Sequence, residues 1–334
     1  MARWRDVFVV HSHLRGNLHP DQQAPDRVTF FGHPWGLATL AATELWERFS
    51  FYGMRAILVL YLVAAIDPMN PAESGLGFSA GDAAAIYGSY NALVYLTPLA
   101  GGWIADRLIG ARRSVLAGGI VIALGHYAMA APWEGTFWLG LLLIAGGTGL
   151  LKPNVSSMVG DLYRGQAESR KDSAFSIFYM GINLGAFLAP LLTGWLALQY
   201  GWEWGFLAAG IGMTIAVVVY VGGWPTLGTA GVSVPNRADG AVLRKVGIRA
   251  ALGFGVFLLA YGVQGIWSGY GVDDVALLLT WAILIIAVGY FIALFRSPLV
   301  GPQDRPRLKA FLALFIGAAL FWMIFDQAGS TLTI

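Results

Sequence analysis

Residues 35–65 read WGLATLAATELWERFSFYGMRAILVLYLVAA. This stretch is long enough to cross a bilayer, because a spanning helix needs about 20 mostly apolar residues. Eight later stretches share that length and character. The nine lie at about residues 35–65, 80–105, 112–131, 136–161, 173–198, 203–222, 246–268, 274–295 and 309–334. Long unbroken apolar runs are typical of membrane helices and not of transmembrane barrel strands. The sequence therefore predicts an all-α integral membrane protein.

The composition supports this class. Of 334 residues, 57% are hydrophobic and 12% are charged, whereas soluble domains are about 25% charged. The formal net charge is only +2 and the basic residues are divided among several segments and form no single cluster, which argues against a nucleic-acid partner. There are no cysteines, so thiolate metal sites and cysteine nucleophiles are excluded. No histidine spacing indicates a metal site either.

The charges in the connections predict the orientation. Lys and Arg concentrate in the N-terminal tail and in alternate connections. The opposite connections hold acidic residues and no Lys or Arg: Asp67, Glu73, Asp82, Glu134, Glu203, Asp273 and Asp274. Because basic loops remain in the cytoplasm, we expect a cytoplasmic N-terminus. The longest basic connection, residues 223–245, is rich in Gly and Pro, which predicts a linker after a six-helix unit.

Charged residues inside the first stretch require an explanation, since a charge at the bilayer centre costs about 2.5–3.5 kcal/mol or more. Glu44, Glu47 and Arg48 have the spacing that places them on one helical face, and Arg55 follows seven residues later. A static salt-bridge network is one interpretation. Buried ion pairs stabilise poorly, so we favour a proton and ligand site.

Three further polar residues lie within or at the start of later apolar stretches: Lys152, His126 and Arg249. Lys152 precedes Pro153 in a glycine-rich segment, and its ammonium needs a carboxylate, either Glu44 or Glu47 or one on a ligand. His126 is interpreted as a satisfied polar contact in preference to a proton relay. Arg249 begins the seventh stretch and can extend to the interface, so it is interpreted as structural.

Four motifs resemble those of a known family. Residues 44–53, ELWERFSFYG, resemble the ExxERFxYYG signature of proton-dependent oligopeptide transporters, a branch of the major facilitator superfamily. Phe51 replaces the first of the usual tyrosines. Residues 178–185, FYMGINLG, are similar to that family's FYxxINxG signature. Residues 102–113, GWIADRLIGARR, resemble the superfamily's loop motif, and residues 321–330, FWMIFDQAGS, resemble the seventh-helix segment with Asp326 in place of Glu.

The resemblance implies a domain organisation. It identifies a bacterial-type, C-terminally truncated member with the major facilitator fold, in which the last five core helices are absent. The implied segments are a cytoplasmic tail (1–33), a six-helix bundle (34–222), a linker (223–245), two inserted helices (246–295), a linker (296–308) and the first helix of the second bundle (309–334). Since alternating access needs two bundles, we expect that the 334-residue chain alone does not transport.

The resemblance also implies roles for individual residues. Family members import di- and tripeptides with protons, without another cofactor. The implied proton-coupling set is Glu44, Glu47, Arg48, Lys152 and Asp326. The implied substrate-binding set is Arg48, Tyr52, Arg55, Tyr90, Lys152, Asn183, Trp322 and Asp326, with Arg48 and Lys152 receiving the peptide carboxylate and Asn183 and Asp326 meeting the amino terminus. Asp106, Arg107 and Arg113 would form a cytoplasmic gate.

The same resemblance implies a multi-pass, monomeric protein of the bacterial inner membrane. Three alternatives stay open. The fold could carry another cargo, such as nitrate, a drug or a carboxylate-bearing metabolite. The chain could be a peptide-binding membrane fragment that does not transport. A membrane enzyme is disfavoured, because the sequence shows no nucleophile–base pair or metal cluster.

Overall fold

The protein is all-helical in the part that the structure describes. The computed structural model describes residues 29–70, 72–234, 236–269, 271–298 and 300–329, so most of the tail at 1–33 lies outside it. Nine long helices occur in these ranges: α1 Trp35–Val63, α2 Ala80–Ile104, α3 Ala111–Met129, α4 Glu134–Leu162, α5 Glu168–Tyr200, α6 Trp202–Gly222, α7 Gly240–Ser268, α8 Val272–Arg296 and α9 Arg305–Phe325. They overlap the nine apolar stretches, and the all-α prediction is confirmed.

Six of these helices, α4 to α9, are long and apolar enough to cross a membrane on length and composition alone. Helix α1 is longer than several of them but carries Glu44, Glu47, Arg48 and Arg55. Its charges lower its mean hydropathy, so its place in the bundle depends on what surrounds it. The chain is thus a multi-pass helical protein whose first helix is polar at its centre.

The linkers are shorter than the sequence predicted. Helix α7 begins at Gly240 because the Asp239 carboxylate accepts a hydrogen bond from the Val242 N–H at 2.7 Å, which caps the first turn. Helix α9 begins at Arg305, and the proline that follows it suits the first turn of a helix. Residues 240–245 and 305–308, assigned to linkers above, are therefore helical.

Helix α1 lies at the centre of the first six helices. It packs mainly against α5 and α6 and also contacts α2 and α4, while α3 packs on α4 and α6. Helix α5 faces α1 with one narrow stripe of buried residues: Ala174, Phe178, Gly181, Gly185, Ala189, Thr193 and Ala197. Most of these are small, which lets two membrane helices approach closely. Helix α8 packs on α2, and α9 contacts α8.

Helices α2 and α4 approach each other very closely at Gly101. A Cβ added at Gly101 would lie 1.9 Å from the carbonyl oxygen of Gly149, so only glycine fits at this crossing. The adjacent Gly102 has no atom within 4 Å of such a Cβ. Substituting Ala at each of these two positions therefore separates the effect of the helix contact on stability from the effect of helix propensity.

We expect Gly101→Ala to lower the melting temperature of the purified protein in detergent, because overpacking costs about 1–3 kcal/mol. Gly102→Ala should leave it unchanged or raise it slightly, since Ala favours helix over Gly by about 1 kcal/mol. Circular dichroism during heating measures both. Equal melting temperatures for the two variants would contradict the proposed contact.

Candidate functional site

The charged residues of α1 form one buried cluster. The Arg48 Nε lies 3.0 Å from Glu44 Oε1 and also donates a hydrogen bond to Glu47 Oε2. All three residues are less than 5% exposed. The guanidinium carbon of Arg48 lies 5.2 Å from the centre of the Phe51 ring. The structure thus brings together the three residues whose spacing indicated a common face, and we call them the Arg48 cluster.

The Arg48 cluster has unused hydrogen-bonding capacity. Glu44 Oε2 and Arg48 Nη2 are buried and have no hydrogen-bond partner among the described residues. A buried charged group without its full set of hydrogen bonds is costly. Two carboxylates also face one guanidinium, so the fully ionised cluster carries one excess negative charge. An arrangement of this kind can accept a proton at a carboxylate or a ligand anion at the guanidinium.

A second ion pair joins α1 to the end of α9. Arg55 Nη2 lies 2.7 Å from Asp326 Oδ1, in the single 3₁₀ turn Asp326–Gly329 that follows α9. Arg55 Nε also donates a hydrogen bond to the Tyr87 hydroxyl, and its guanidinium carbon lies 5.2 Å from the centre of that ring. Residues 271 positions apart in sequence therefore share one polar contact.

Tyr87 is a residue that the sequence analysis missed. It lies on α2, is buried and hydrogen-bonds to Arg55. Tyr90, which was predicted, follows three residues later, so both tyrosines face the same side of α2. This spacing of three residues could have indicated from the sequence that Tyr87 lies near Tyr90. Tyr90 is 3% exposed, and its hydroxyl has no partner among the described residues.

Lys152 is half-buried on α4 and does not pair with the cluster glutamates. Within the described residues, no ion pair joins it to Glu44 or Glu47, and its Nζ lies 5.1 Å from the centre of the Tyr95 ring. Pro153 does not interrupt the helix, since α4 continues from Glu134 to Leu162. The ammonium is thus held at a half-exposed aromatic ring and not by a protein carboxylate.

The other predicted substrate residues are placed differently. Tyr52 is half-buried beside Phe51, with ring centres 5.3 Å apart. Asn183 is exposed, and its amide donates to the Tyr179 carbonyl of its own helix at 2.8 Å. Trp322 is also exposed. Among the described residues, its ring contacts those of Phe321 and Phe325 on its own helix. The described residues therefore do not bring Asn183 and Trp322 to the Arg48 cluster, and their substrate roles stay predictions.

His126 makes the polar contact that the sequence analysis favoured. Its Nε2 lies 2.6 Å from Ser50 Oγ, and both residues are fully buried between α1 and α3. Its Nδ1 has no hydrogen-bond partner among the described residues. Ser50 lies two residues after Arg48, so this contact anchors the helix turn that presents the Arg48 cluster.

The predicted gate residues do not contact one another through their side chains. Asp106 and Arg113 are exposed and Arg107 is half-buried, and no ion pair joins the three within the described residues. Asp106 and Arg107 lie in a π-helical turn, Ala105–Ile109, after α2. Their carbonyls accept hydrogen bonds from the backbone N–H groups of Asn236 and Ala238, at 3.3 and 3.0 Å. The gate stays a prediction.

Arg112 is the buried arginine of this loop motif. Its Nε donates to the Ala230 carbonyl at 3.0 Å and its Nη2 to the Gly228 carbonyl at 2.6 Å. Its guanidinium carbon lies 5.5 Å from the centre of the Trp224 ring. The Gly231 N–H also donates to Asp161 of α4 at 3.2 Å. Residues 228–231 of the predicted linker are therefore held across the ends of α3 and α4.

We expect Arg112→Gln to lower the melting temperature, since hydrogen bonds from a charged donor contribute about 1.5–3 kcal/mol. The matched control is Arg113→Gln, which removes the same charge from an exposed side chain one residue away. Limited trypsin digestion should also cleave residues 223–245 faster in Arg112→Gln alone. Equal stability and cleavage in both variants would exclude a pinning role for Arg112.

Comparison with known proteins shows the family. A family model described as PTR2, POT family, matches residues 112–334. The chain is 44% identical over 312 residues to an uncharacterized transporter of Bacillus subtilis (strain 168), covering 91% of this chain and 60% of that protein. It is 40% identical to a di-/tripeptide transporter of Lactococcus lactis subsp. lactis, covering 92% and 61% respectively.

Solved structures agree with this assignment. A crystal structure of a peptide transporter POT in complex with sulfate matches with a TM-score of 0.80 and 43% identity, covering 90% of this chain and 61% of that one. A POT family transporter in complex with 5-aminolevulinic acid matches with a TM-score of 0.79 and 35% identity, covering 90% and 61%. The chain spans about 60% of the length of these relatives. The motif resemblance is thus confirmed, and the chain belongs to the POT family of transporters.

Proposed function

We propose that this chain carries the proton-coupling and carboxylate-binding residues of a symporter that imports di- and tripeptides with protons. The observation that carries the proposal is the buried Arg48 cluster, in which two carboxylates share one guanidinium. A static network would be expected to satisfy all its polar atoms, whereas Glu44 Oε2 and Arg48 Nη2 have no partner among the described residues.

The substrate class follows from the charges around this cluster. A short peptide carries a carboxylate and an ammonium at a limited separation. Lys152, whose ammonium lies over Tyr95 and not in an ion pair, is suited to receive the carboxylate together with Arg48. Asp326 is suited to receive the amino terminus, which would then compete with Arg55 for the same carboxylate oxygen.

Proton coupling would act through the carboxylates that hold the arginines. A protonated Glu44 or Glu47 attracts Arg48 less strongly than an ionised one, so protonation frees guanidinium donors for the peptide carboxylate. A proton on Glu44 or on Glu47 would have the same effect on Arg48, since both carboxylates contact its guanidinium, and a proton on Asp326 would loosen Arg55 in the same way. The proton is therefore assigned to the set Glu44, Glu47 and Asp326 and not to a single residue.

Transport would follow by alternating access between two helical bundles around a midplane site. We propose a cytoplasmic N-terminus on the basis of the basic connections, and a monomer in a bacterial inner membrane on the basis of the family resemblance. The relatives named above come from bacteria. A non-peptide cargo that carries both an amine and a carboxylate is the second candidate, supported by the relative in complex with 5-aminolevulinic acid.

The first test measures dialanine uptake into proteoliposomes under an inward proton gradient, with protein produced from its complete gene. We expect gradient-dependent uptake that falls at least about tenfold in Lys152→Ala, because a charge-assisted contact of about 1.5–3 kcal/mol is lost. Lys171→Ala is the control, since Lys171 pairs with the exposed Glu168 at 3.7 Å. No dialanine uptake by folded protein would move the proposal to the second candidate, with 5-aminolevulinic acid as the probe.

The second test separates coupling from binding. Glu47→Gln should abolish uptake driven by a proton gradient but leave dialanine counterflow measurable, because the exchange of bound peptide needs no proton release. Glu168→Gln, at an exposed carboxylate of α5, is the matched control. Driven uptake at the wild-type rate in Glu47→Gln would remove Glu47 from the coupling set.

A further inference from the structure

A cavity of about 420 Å³ lies at the end of the bundle opposite Arg112. It is lined by the last turn of α1, the connection from α1 to α2, the connection from α3 to α4 and the first turns of α6. Small-molecule sites have volumes of this order. It lies among the acidic connections and is separate from the Arg48 cluster, so the proposed transport function does not use it.

Four aromatic side chains line this cavity: Tyr61, Trp133, Trp202 and Phe206. The Tyr61 ring lies with its centre 5.4 Å from that of Phe206 and 6.0 Å from that of Trp202. Trp202 is held in place because its Nε1 donates to the Glu73 carbonyl at 3.1 Å. Trp133 lines the same cavity and is 68% exposed. Three packed rings and one accessible indole thus form part of the lining.

The charged groups that line the cavity are all acidic: Asp67, Glu134 and Glu203. Asp67 Oδ1 already accepts hydrogen bonds from the backbone N–H groups of Met69 and Asn70. Glu134 Oε1 accepts one from Trp138 Nε1 at 3.3 Å. The Glu203 carboxylate has no hydrogen bond or ion pair within the described residues, and it lies close enough to Tyr61 to act on it electrostatically. Of the three carboxylates, Glu203 is therefore the most available to pair with a cation.

The arrangement favours an organic cation over a metal ion. Among the described residues, no three His, Asp or Glu side chains are close enough together to hold a metal. Ca²⁺ and Mg²⁺ require several oxygen ligands close together, and the carboxylates that line the cavity do not form such a group. An alkylammonium ion, in contrast, is attracted to the face of an aromatic ring and has an apolar surface that packs against it.

We propose that this cavity binds small alkylammonium ions, with Glu203 as the counter-charge and the Trp133 indole as the face on which the ion rests. The ammonium could belong to a free solute or to the headgroup of a neighbouring lipid, since both present the same chemistry. The cavity has no basic residue among those that line it, so an anionic ligand is disfavoured.

The test is binding of choline to the purified protein, measured by isothermal titration calorimetry and by saturation-transfer NMR of the methyl protons. The uncharged analogue 3,3-dimethylbutan-1-ol has the same shape and should not bind. Affinity for choline should fall as salt is added, because the contact with Glu203 is screened. Equal binding of the uncharged analogue would overturn the proposal, as would absence of choline binding by protein with an unchanged melting temperature.

Variants locate the site. Trp133→Ala should weaken choline binding roughly threefold to thirtyfold, the range expected for one cation–π contact, and Glu203→Gln should also weaken it. The controls are Trp204→Ala, at a half-exposed indole on α6 that does not line the cavity, and Glu73→Gln, at an exposed carboxylate of the α1–α2 connection. Wild-type affinity in both cavity variants, or equal loss in the controls, would contradict the assignment.

A final comparison distinguishes the two sources of the ammonium. The protein is reconstituted in nanodiscs of phosphatidylglycerol alone or with phosphatidylethanolamine. Weaker apparent choline affinity in the second lipid would show that the headgroup ammonium competes for the cavity. Equal affinity would assign the cavity to free solutes. Peptide uptake is not part of either readout, so failure of the proposed transport function leaves this test interpretable.

Discussion

The rest of the structure depends on burying two carboxylates and one guanidinium at the centre of α1. Charged groups at that depth cannot face lipid without a large cost, so α1 has to be surrounded by other helices. Helices α2, α4, α5 and α6 all contact it. The side chains on α5 that face α1 are mostly small, and a Cβ at Gly185 would lie 2.1 Å from the Leu45 carbonyl oxygen. Arg48 can therefore be buried away from lipid and water only because the neighbouring helices pack closely around α1.

The contact between α2 and α4 places the second charged region. Gly101 and Gly149 let the two backbones touch, and Thr97 donates to the Ala145 carbonyl at 2.7 Å across the same crossing. Lys152 follows Gly149 by less than one turn, so its ammonium is delivered to the Tyr95 ring on α2. A crossing made possible by glycine therefore holds the lysine near the Arg48 cluster without pairing it to the glutamates.

The two ends of the bundle have opposite chemistry. At one end, Arg112 donates hydrogen bonds to the Gly228 and Ala230 carbonyls and lies over the Trp224 ring. These contacts hold part of the glycine-rich connection against α3. At the other end, acidic residues and aromatic rings surround an open cavity. Arg112 thus stabilises the connection at its end, whereas the charged residues that line the cavity at the other end are all acidic.

Much of the fold followed from patterns that are local in sequence. The apolar stretches predicted the helices, because a chain in lipid must satisfy its backbone hydrogen bonds within each segment. The motif at residues 44–53 placed Glu44, Glu47 and Arg48 on one face, because helical spacing is a local property. The predicted starts of α7 and α9, at about residues 246 and 309, were too late, because capping by Asp239 and a proline in the first turn begin these helices at Gly240 and Arg305.

Contacts between distant residues were decided by tertiary structure alone. The sequence showed that Arg55, Asp326 and Lys152 each needed a partner, because an isolated charge in a membrane is costly. It did not show that Asp326 pairs with Arg55, that Tyr87 completes that contact, or that Lys152 lies over Tyr95. It also did not distinguish buried Arg112 from exposed Arg113. Residue type and spacing determine that a charge must be compensated, whereas the partner depends on which helices cross and how closely.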